Sequence, residues 1–322
     1  MARVMTLTLN PALDLAIRLP SLTLGAVNRT EATHLEAAGK GVNVARVLAA
    51  LGHEVVVSGF LGADNDGAFV RAFADWGLED AFLRLPGDTR INAKLAEAEG
   101  RVTDINGPGL EVARDDLAAL YAALEAQLTD AARYPEAVVI AGSLPPGMSP
   151  GDLAALIGWL REYDVPVWVD TSGAALNAAI AAVPSAVKPN ETELAEWAGE
   201  PLEDAASRLA AATRLHASGI EHALVSLGGE GMLWVGPEGA WQATPPRVEV
   251  ASTVCAGDTL LAAMLHGRLA GLTAEAILRL ATALSAEAVR HVGVGDVHAP
   301  DLDQLQQNTC VRRLDENARE DS

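Results

Sequence analysis

The sequence predicts an α/β protein built on a doubly wound, mostly parallel sheet, and three observations carry that expectation. Helical and β patterns alternate from about residue 115 to 227, the rhythm of a parallel sheet with helical crossovers. Gly-rich turns open several helices, as at Gly39-Lys40-Gly41 and Ala256-Gly257-Asp258. The 322 residues are 50% apolar and 20% charged, enough apolar material for a large core.

The elements follow in order. Val4-Met5-Thr6-Leu7-Thr8-Leu9 is β-rich and stops at Asn10-Pro11, which makes it the first strand. Leu13 to Arg18 and Thr30 to Leu35 read as short strands around the loop from Pro20 to Asn28. The spacing of Val42, Val44, Ala45 and Leu48 makes 41–51 a helix, before a buried strand from Glu54 to Phe60 and a helix over 66–76. Ile91 to Leu95 pairs with Arg101 to Ile105 across Glu99-Gly100, a hairpin that interrupts the alternation. Helices at 115–132, 151–163, 174–182, 191–198 and 202–217 then alternate with strands at 137–141, 165–169, 186–188 and 222–227. A second hairpin, 232–235 with 240–243, precedes helices near 257–270 and 274–291. Residues 1–300 therefore read as one α/β domain with a small β element from about 12–35 and 88–106. Residues 301–322 are polar and read as a loosely held tail.

The charge balance narrows the partners. With 23 basic and 43 acidic residues the net charge is −20, which repels nucleic-acid backbones and anionic lipid surfaces. No nucleic acid and no membrane are expected as partners. No apolar run reaches the roughly 18 residues of a membrane helix, and Met1-Ala2-Arg3-Val4 does not open a signal peptide, so a cytoplasmic location is expected. Cys255 and Cys310 give no disulfide framework and no metal-type spacing. Only three of the 23 basic residues are lysines, and Lys40, Lys94 and Lys188 each lie in a distinctive local motif.

Six segments could carry chemistry. Ala38-Gly39-Lys40-Gly41-Val42-Asn43 leads into a helix N-terminus, where free N–H groups and a lysine suit an anion, though an ordinary glycine turn looks the same. It is not a Walker A loop, since His34 and Gly41 stand where Gly and Ser or Thr belong. Arg90, Asn92 and Lys94 repeat every second residue and share one face of a strand, as anion donors or as a solvated edge. Ser143 follows the strand ending at Ala141, where loops line the crevice of an open parallel sheet. Lys188-Pro189-Asn190 begins a helix, with Asn190 as cap and Glu193 completing a capping box. The same oxygens could hold water around Mg²⁺. Ser226-Leu227-Gly228-Gly229-Glu230-Gly231 permits close backbone approach to a ligand, or simply a tight turn. Finally, Cys255-Ala256-Gly257-Asp258 sets a carboxylate in the first turn of an apolar helix. That is either plain stabilisation of the helix terminus or an anion hole beside a general base.

These segments, with Thr8-Leu9-Asn10-Pro11-Ala12-Leu13-Asp14, resemble in order and spacing the ribokinase-like carbohydrate kinases of the PfkB type, within the bacterial phosphofructokinase and tagatose-phosphate kinase group. The resemblance covers almost the whole chain. It implies a ribokinase-like fold with a β-sheet lid and an ATP-dependent kinase acting on the C6 hydroxyl of fructose 1-phosphate. Tagatose 6-phosphate and fructose 6-phosphate are the alternative acceptors, and a non-catalytic sugar-phosphate or nucleotide sensor is the alternative of another class. It further implies that Asp258 is the base, with the amides of Cys255, Ala256 and Gly257 as anion hole. Asn10, Asp14, Gly39, Lys40, Asn43, Arg90, Asn92 and Ser143 would bind the sugar and its phosphate. Lys188, Ser226, Gly228, Gly231 and Thr253 would line ATP, and Asn190 and Glu193 would order Mg²⁺. Family members commonly pair their lids, so a homodimer is expected. One departure stands out, because Cys255 occupies a position that is usually Gly. Its side chain costs little at negative φ and strains the loop at positive φ.

Overall fold

The computed structural model describes residues 1–314. The chain begins with β1 (Arg3–Thr8), β2 (Ala12–Leu19), β3 (Ala32–Ala38), α1 (Lys40–Ala50), β4 (Glu54–Gly62) and α2 (Gly67–Trp76). Two short strands, β5 (Glu79–Asp80) and β6 (Leu83–Leu85), precede the hairpin of β7 (Ile91–Glu97) and β8 (Val102–Asn106). The alternating part comprises α3 (Arg114–Leu128), β9 (Ala137–Ala141), α4 (Pro150–Arg161), β10 (Val167–Asp170), α5 (Gly173–Ala181), β11 (Ala186–Val187), α6 (Glu191–Ala198), α7 (Ala205–Ala217) and β12 (His222–Ser226). The chain continues through β13 (Met232–Gly236), β14 (Gly239–Thr244), α8 (Ala256–Leu269), α9 (Ala274–Ala288), α10 (Leu302–Asn308) and β15 (Cys310–Arg313).

The main sheet runs β15-β14-β13-β12-β11-β10-β9-β1-β4-β5, with β6 also on β4. Its strands from β12 to β5 are parallel, and the β13–β15 meander adds an antiparallel edge. Alternation along each strand divides the core between the two faces. Val4, Ala137, Val139 and Ala141 pack with α1, α2, α8 and α9, whereas Met5, Leu7, Val138 and Ile140 pack with α3, α4, α5 and α7. The result is the predicted three-layer α/β architecture.

A separate four-stranded sheet, ordered β3-β2-β7-β8, forms the small β element. The hairpin pairs in the expected antiparallel sense, with Ala93 opposite Ile105 and Leu95 opposite Thr103. This sheet takes in residues up to Ala38, beyond the expected limit at 35, because β2 pairs with β3 from Arg18 opposite Ala32 to Ala12 opposite Ala38.

The tail expectation is corrected for the described part. Leu302 and Leu305 are buried in the core, and β15 pairs with β14 from Trp241 opposite Arg313 to Thr244 opposite Cys310. Arg279 donates to the carbonyls of Gln306 and Thr309, which fixes the turn between α10 and β15. Polarity concealed this, since an edge helix and an edge strand need only a few apolar contacts each. Residues 315–322 lie outside the described part. Among the described residues no helix is long and apolar enough to cross a membrane.

Candidate active site

β1, β10, β11 and β12 run parallel, so their carboxyl ends lie along one edge of the sheet, where ligands gather in open parallel sheets. Gly39 caps α1 at φ +132°, and a side chain there would meet Thr8 Cγ2 at 2.8 Å. Gly41 lies against β1 as well, with Thr8 Oγ1 2.4 Å from where its Cβ would stand. These glycines let the first turn of α1 seat on the end of β1, and that seat carries Lys40 and Asn43 inward.

Asp258 occupies the third position of α8 and is 3% exposed. Its Oδ2 accepts from Asn43 Nδ2 at 2.8 Å, and its Oδ1 from Lys40 Nζ at 3.2 Å. Lys40 also donates to Asp170 Oδ2 at 3.1 Å, and Lys188 Nζ lies 3.3 Å from the same oxygen. Lys188 runs against the start of α8, since its Nζ is 3.2 Å from where a Cβ on Gly257 would stand. Two lysines and two buried carboxylates thus form one row beside the N-terminus of α8. Burial raises the carboxyl of Asp170, but Lys188 and Lys40 outweigh it and hold it below the usual range. Burial likewise opposes the charge of Lys40, and Asp170 with Asp258 reverses that effect.

Asp170 was not among the expected residues. The pattern ended its strand at Val169, and an acid closing the apolar run Val167-Trp168-Val169 at a strand's carboxyl end was the available clue. Its charge partners stand 130 and 18 residues away in sequence, so no local motif contains them.

The lid supplies a second cluster. Asn92 Nδ2 donates to Asp14 Oδ1 at 3.2 Å, and Lys94 Nζ to Asp14 Oδ2 at 2.8 Å. The expected shared face of β7 therefore holds for Asn92 and Lys94. Lys94, Glu36 and Asp14 also act electrostatically on Cys255, which sets the lid cluster opposite the start of α8. Arg90 is used differently from its pattern. Its guanidinium donates to the carbonyls of Pro11 at 3.2 Å, Gly107 at 3.1 Å and Asn10 at 2.8 Å, and reaches Ser143 Oγ at 3.4 Å. Asn10 donates to Pro108 O, Ser143 Oγ and Leu144 O, each at 3.2 Å. Arg90, Asn10 and Ser143 thus tie the base of the lid to the body.

Asn190 and Glu193 form the expected capping box, each side chain accepting from the other's backbone N–H at 2.9 and 2.8 Å. A backbone bridge sets Asn190 beside Ser226, which leads into the turn of Gly228, at φ +53°, and Gly231, at φ +94°. Thr253 is exposed in the loop before α8. Among the described residues no cluster of three or more His, Cys, Asp or Glu forms a metal cage. Mg²⁺ asks for less, because it keeps several waters and needs one or two hard oxygens. Glu193 and Asn190 supply hard oxygens of that type.

Cys255 has φ +66° and ψ −7°, so of the two expectations for this position the strained one holds. Its Sγ accepts from Asn43 Nδ2 at 3.4 Å. Burial, followed by Asp258, pushes the thiol up to about 12, which keeps it protonated and unreactive near neutral pH.

Known proteins supply the remaining observations. The pattern of the pfkB family carbohydrate kinase matches residues 7–301. The chain is 45% identical to a 1-phosphofructokinase of Vibrio cholerae over 97% of both chains, and 43% identical to one of Escherichia coli K12 over 93% of this chain and 95% of that one. Among solved structures, phosphofructokinase-2 of Escherichia coli in complex with fructose-6-phosphate superposes with a TM-score of 0.85 at 29% identity, covering 95% of this chain and 99% of that one.

Proposed function

Because the chain belongs to the pfkB family of carbohydrate kinases, we propose that it transfers the γ-phosphoryl group of ATP to the C6 hydroxyl of fructose 1-phosphate. Phosphotransfer to an alcohol group of a sugar phosphate is the activity of the family branch to which it is similar. The observation that carries the reading is Asp258, a buried carboxylate at the N-terminus of α8 held by Lys40 and Asn43 of α1. A carboxylate there accepts the hydroxyl proton while the backbone N–H groups of Cys255, Ala256 and Gly257 face the charge that builds on the transferring group. Asp14 and Asn92 of the lid, with Gly39, Asn43, Asn10, Arg90 and Ser143 around its base, would enclose the sugar phosphate. Lys188, Ser226, Gly228, Gly231 and Thr253 would lie along the nucleotide. Glu193 and Asn190 would hold hydrated Mg²⁺, which when bound neutralises charge on the ATP phosphates.

We further propose a single α/β kinase domain with a β lid, working as a homodimer. Support for lid pairing is the exposed apolar set Leu35, Ile91 and Ile105, which share the lid face opposite Asn92 and Lys94. A cytoplasmic location accords with such substrates and with two free cysteines among the described residues.

A coupled ADP-release assay tests the acceptor. Fructose 1-phosphate is expected to give the highest kcat/KM among fructose 1-phosphate, tagatose 6-phosphate, fructose 6-phosphate and ribose. Activity on ribose alone would sink the sugar-phosphate reading, and tight binding with no ADP release would favour a sensor.

Cys255 gives a second prediction. Cys255→Gly relieves a left-handed residue, so urea unfolding should show a gain of about 1 kcal/mol. The hole is built of backbone N–H groups, and turnover should stay within about threefold of wild type. A rise of orders of magnitude would mean that the cysteine impairs catalysis.

A further inference from the structure

Lys40 sits where its proposed ligand would not reach it. As a ligand of the phosphate that the sugar already carries, it belongs at the end of the sugar remote from the reacting hydroxyl. Its ammonium is instead 3.2 Å from Asp258 Oδ1, the group set to receive the hydroxyl proton. Asp170, 2% exposed, holds the other side of that ammonium at 3.1 Å. Lys188 anchors Asp170 from beyond at 3.3 Å and lies against Gly257. The row of charges therefore runs along the N-terminus of α8, at the reacting end of the site.

We propose that Lys40 is a catalytic residue that clamps the transferring phosphoryl group beside Asp258, with Asp170 as its positioning residue. The assignment rests on the sugar-phosphate kinase reading. In the step, Asp258 takes the hydroxyl proton and the hydroxyl oxygen forms the new P–O bond. The bond between the γ-phosphorus and the bridging oxygen breaks, and its electron pair leaves with ADP. Proton transfer removes one negative charge from the partners of Lys40 while charge spreads over the phosphoryl oxygens. The ammonium then turns from the neutralised Asp258 to those oxygens and stays tethered to Asp170. An interaction made chiefly in the transition state raises kcat more than it lowers KM.

The test is steady-state kinetics of wild type, Lys40→Met, Asp170→Asn and the double variant, with ATP and whichever sugar phosphate wild type turns over best. Lys40→Met is expected to lower kcat about 10²- to 10³-fold, the scale of one lost electrostatic donor, with the sugar-phosphate KM within about threefold. In kcat the double variant should be no slower than Lys40→Met by more than about twofold, while the counter-charge that Lys188 loses with Asp170 should show in the KM for ATP. A tenfold or larger rise in the sugar-phosphate KM with kcat near wild type would overturn the clamp and return Lys40 to the resident phosphate. Additive losses in the double variant would overturn the role of Asp170. The side chain of Lys40 is 46% exposed, so Lys40→Met tests the clamp even if Asp170→Asn fails to fold. Wild type releasing no ADP with any sugar phosphate would remove the kinase reading and the clamp together, whereas a loss confined to KM removes the clamp alone.

Discussion

Asp258→Asn is expected to lower turnover about 10³-fold, within the range that a positioned general base contributes. The substitution keeps the shape of a residue that is 3% exposed, removes its charge and its ability to take the hydroxyl proton, and turns one of the two oxygens that accept from Lys40 and Asn43 into a donor. Lys40 keeps Asp170 as a partner at 3.1 Å, so no lysine is left buried without a counter-charge. Binding should survive for that reason, with ATP and sugar-phosphate dissociation constants by calorimetry within a few-fold of wild type. Equal turnover with intact binding would remove Asp258 from the base role.

Acidification is expected to weaken the fold well before its carboxylates titrate. His222 is buried at 4% exposure, its ring 5.6 Å from that of Trp168 and 5.7 Å from that of Trp234. Burial first, then Arg268, lower it from 6.5 to about 4, against an opposing effect of Glu238. Glu221 lies 3.3 Å from its Nε2, but its side chain is 52% exposed, and water screens it as a counter-charge. A histidine depressed in the folded state is protonated first in the unfolded chain, which then binds more protons. Stability is therefore full above about pH 6.5 and falls as the pH drops toward 4. The loss from this residue is about 2 kcal/mol at pH 5 and about 3 kcal/mol at pH 4. His53 and His266 act in the same direction, lowered chiefly by burial, with Nε2 of one 2.9 Å from Nδ1 of the other. Chemical denaturation at pH 7.5 and 5 should show the drop, and His222→Phe should remove most of it. An unchanged slope in that variant would place the sensitivity elsewhere.

How much was legible in the sequence depends on the kind of interaction. The apolar runs Val4 to Leu7 and Ala137 to Ala141 were readable as strands covered on both faces, whereas which residue faces which helical layer was settled by the structure. The capping box of Asn190 and Glu193 was readable because its partners are three residues apart. The pairing of α10 and β15 with the body was not, since their few buried apolar positions are diluted by exposed charge.

The sequence by itself determined the α/β architecture, the lid strands, the glycine-led starts of α1 and α8 and the family, all properties of local pattern and spacing. Only the tertiary structure decided which charges meet. Lys40 lies between acids 130 and 218 residues away, and Arg90 is used on the carbonyls of Asn10, Pro11 and Gly107. It alone gave Cys255 its positive φ. The physical reason is that a backbone period repeats within a few residues and leaves its trace in the sequence. A charged side chain finds its partner only after the sheet has brought distant strand ends together.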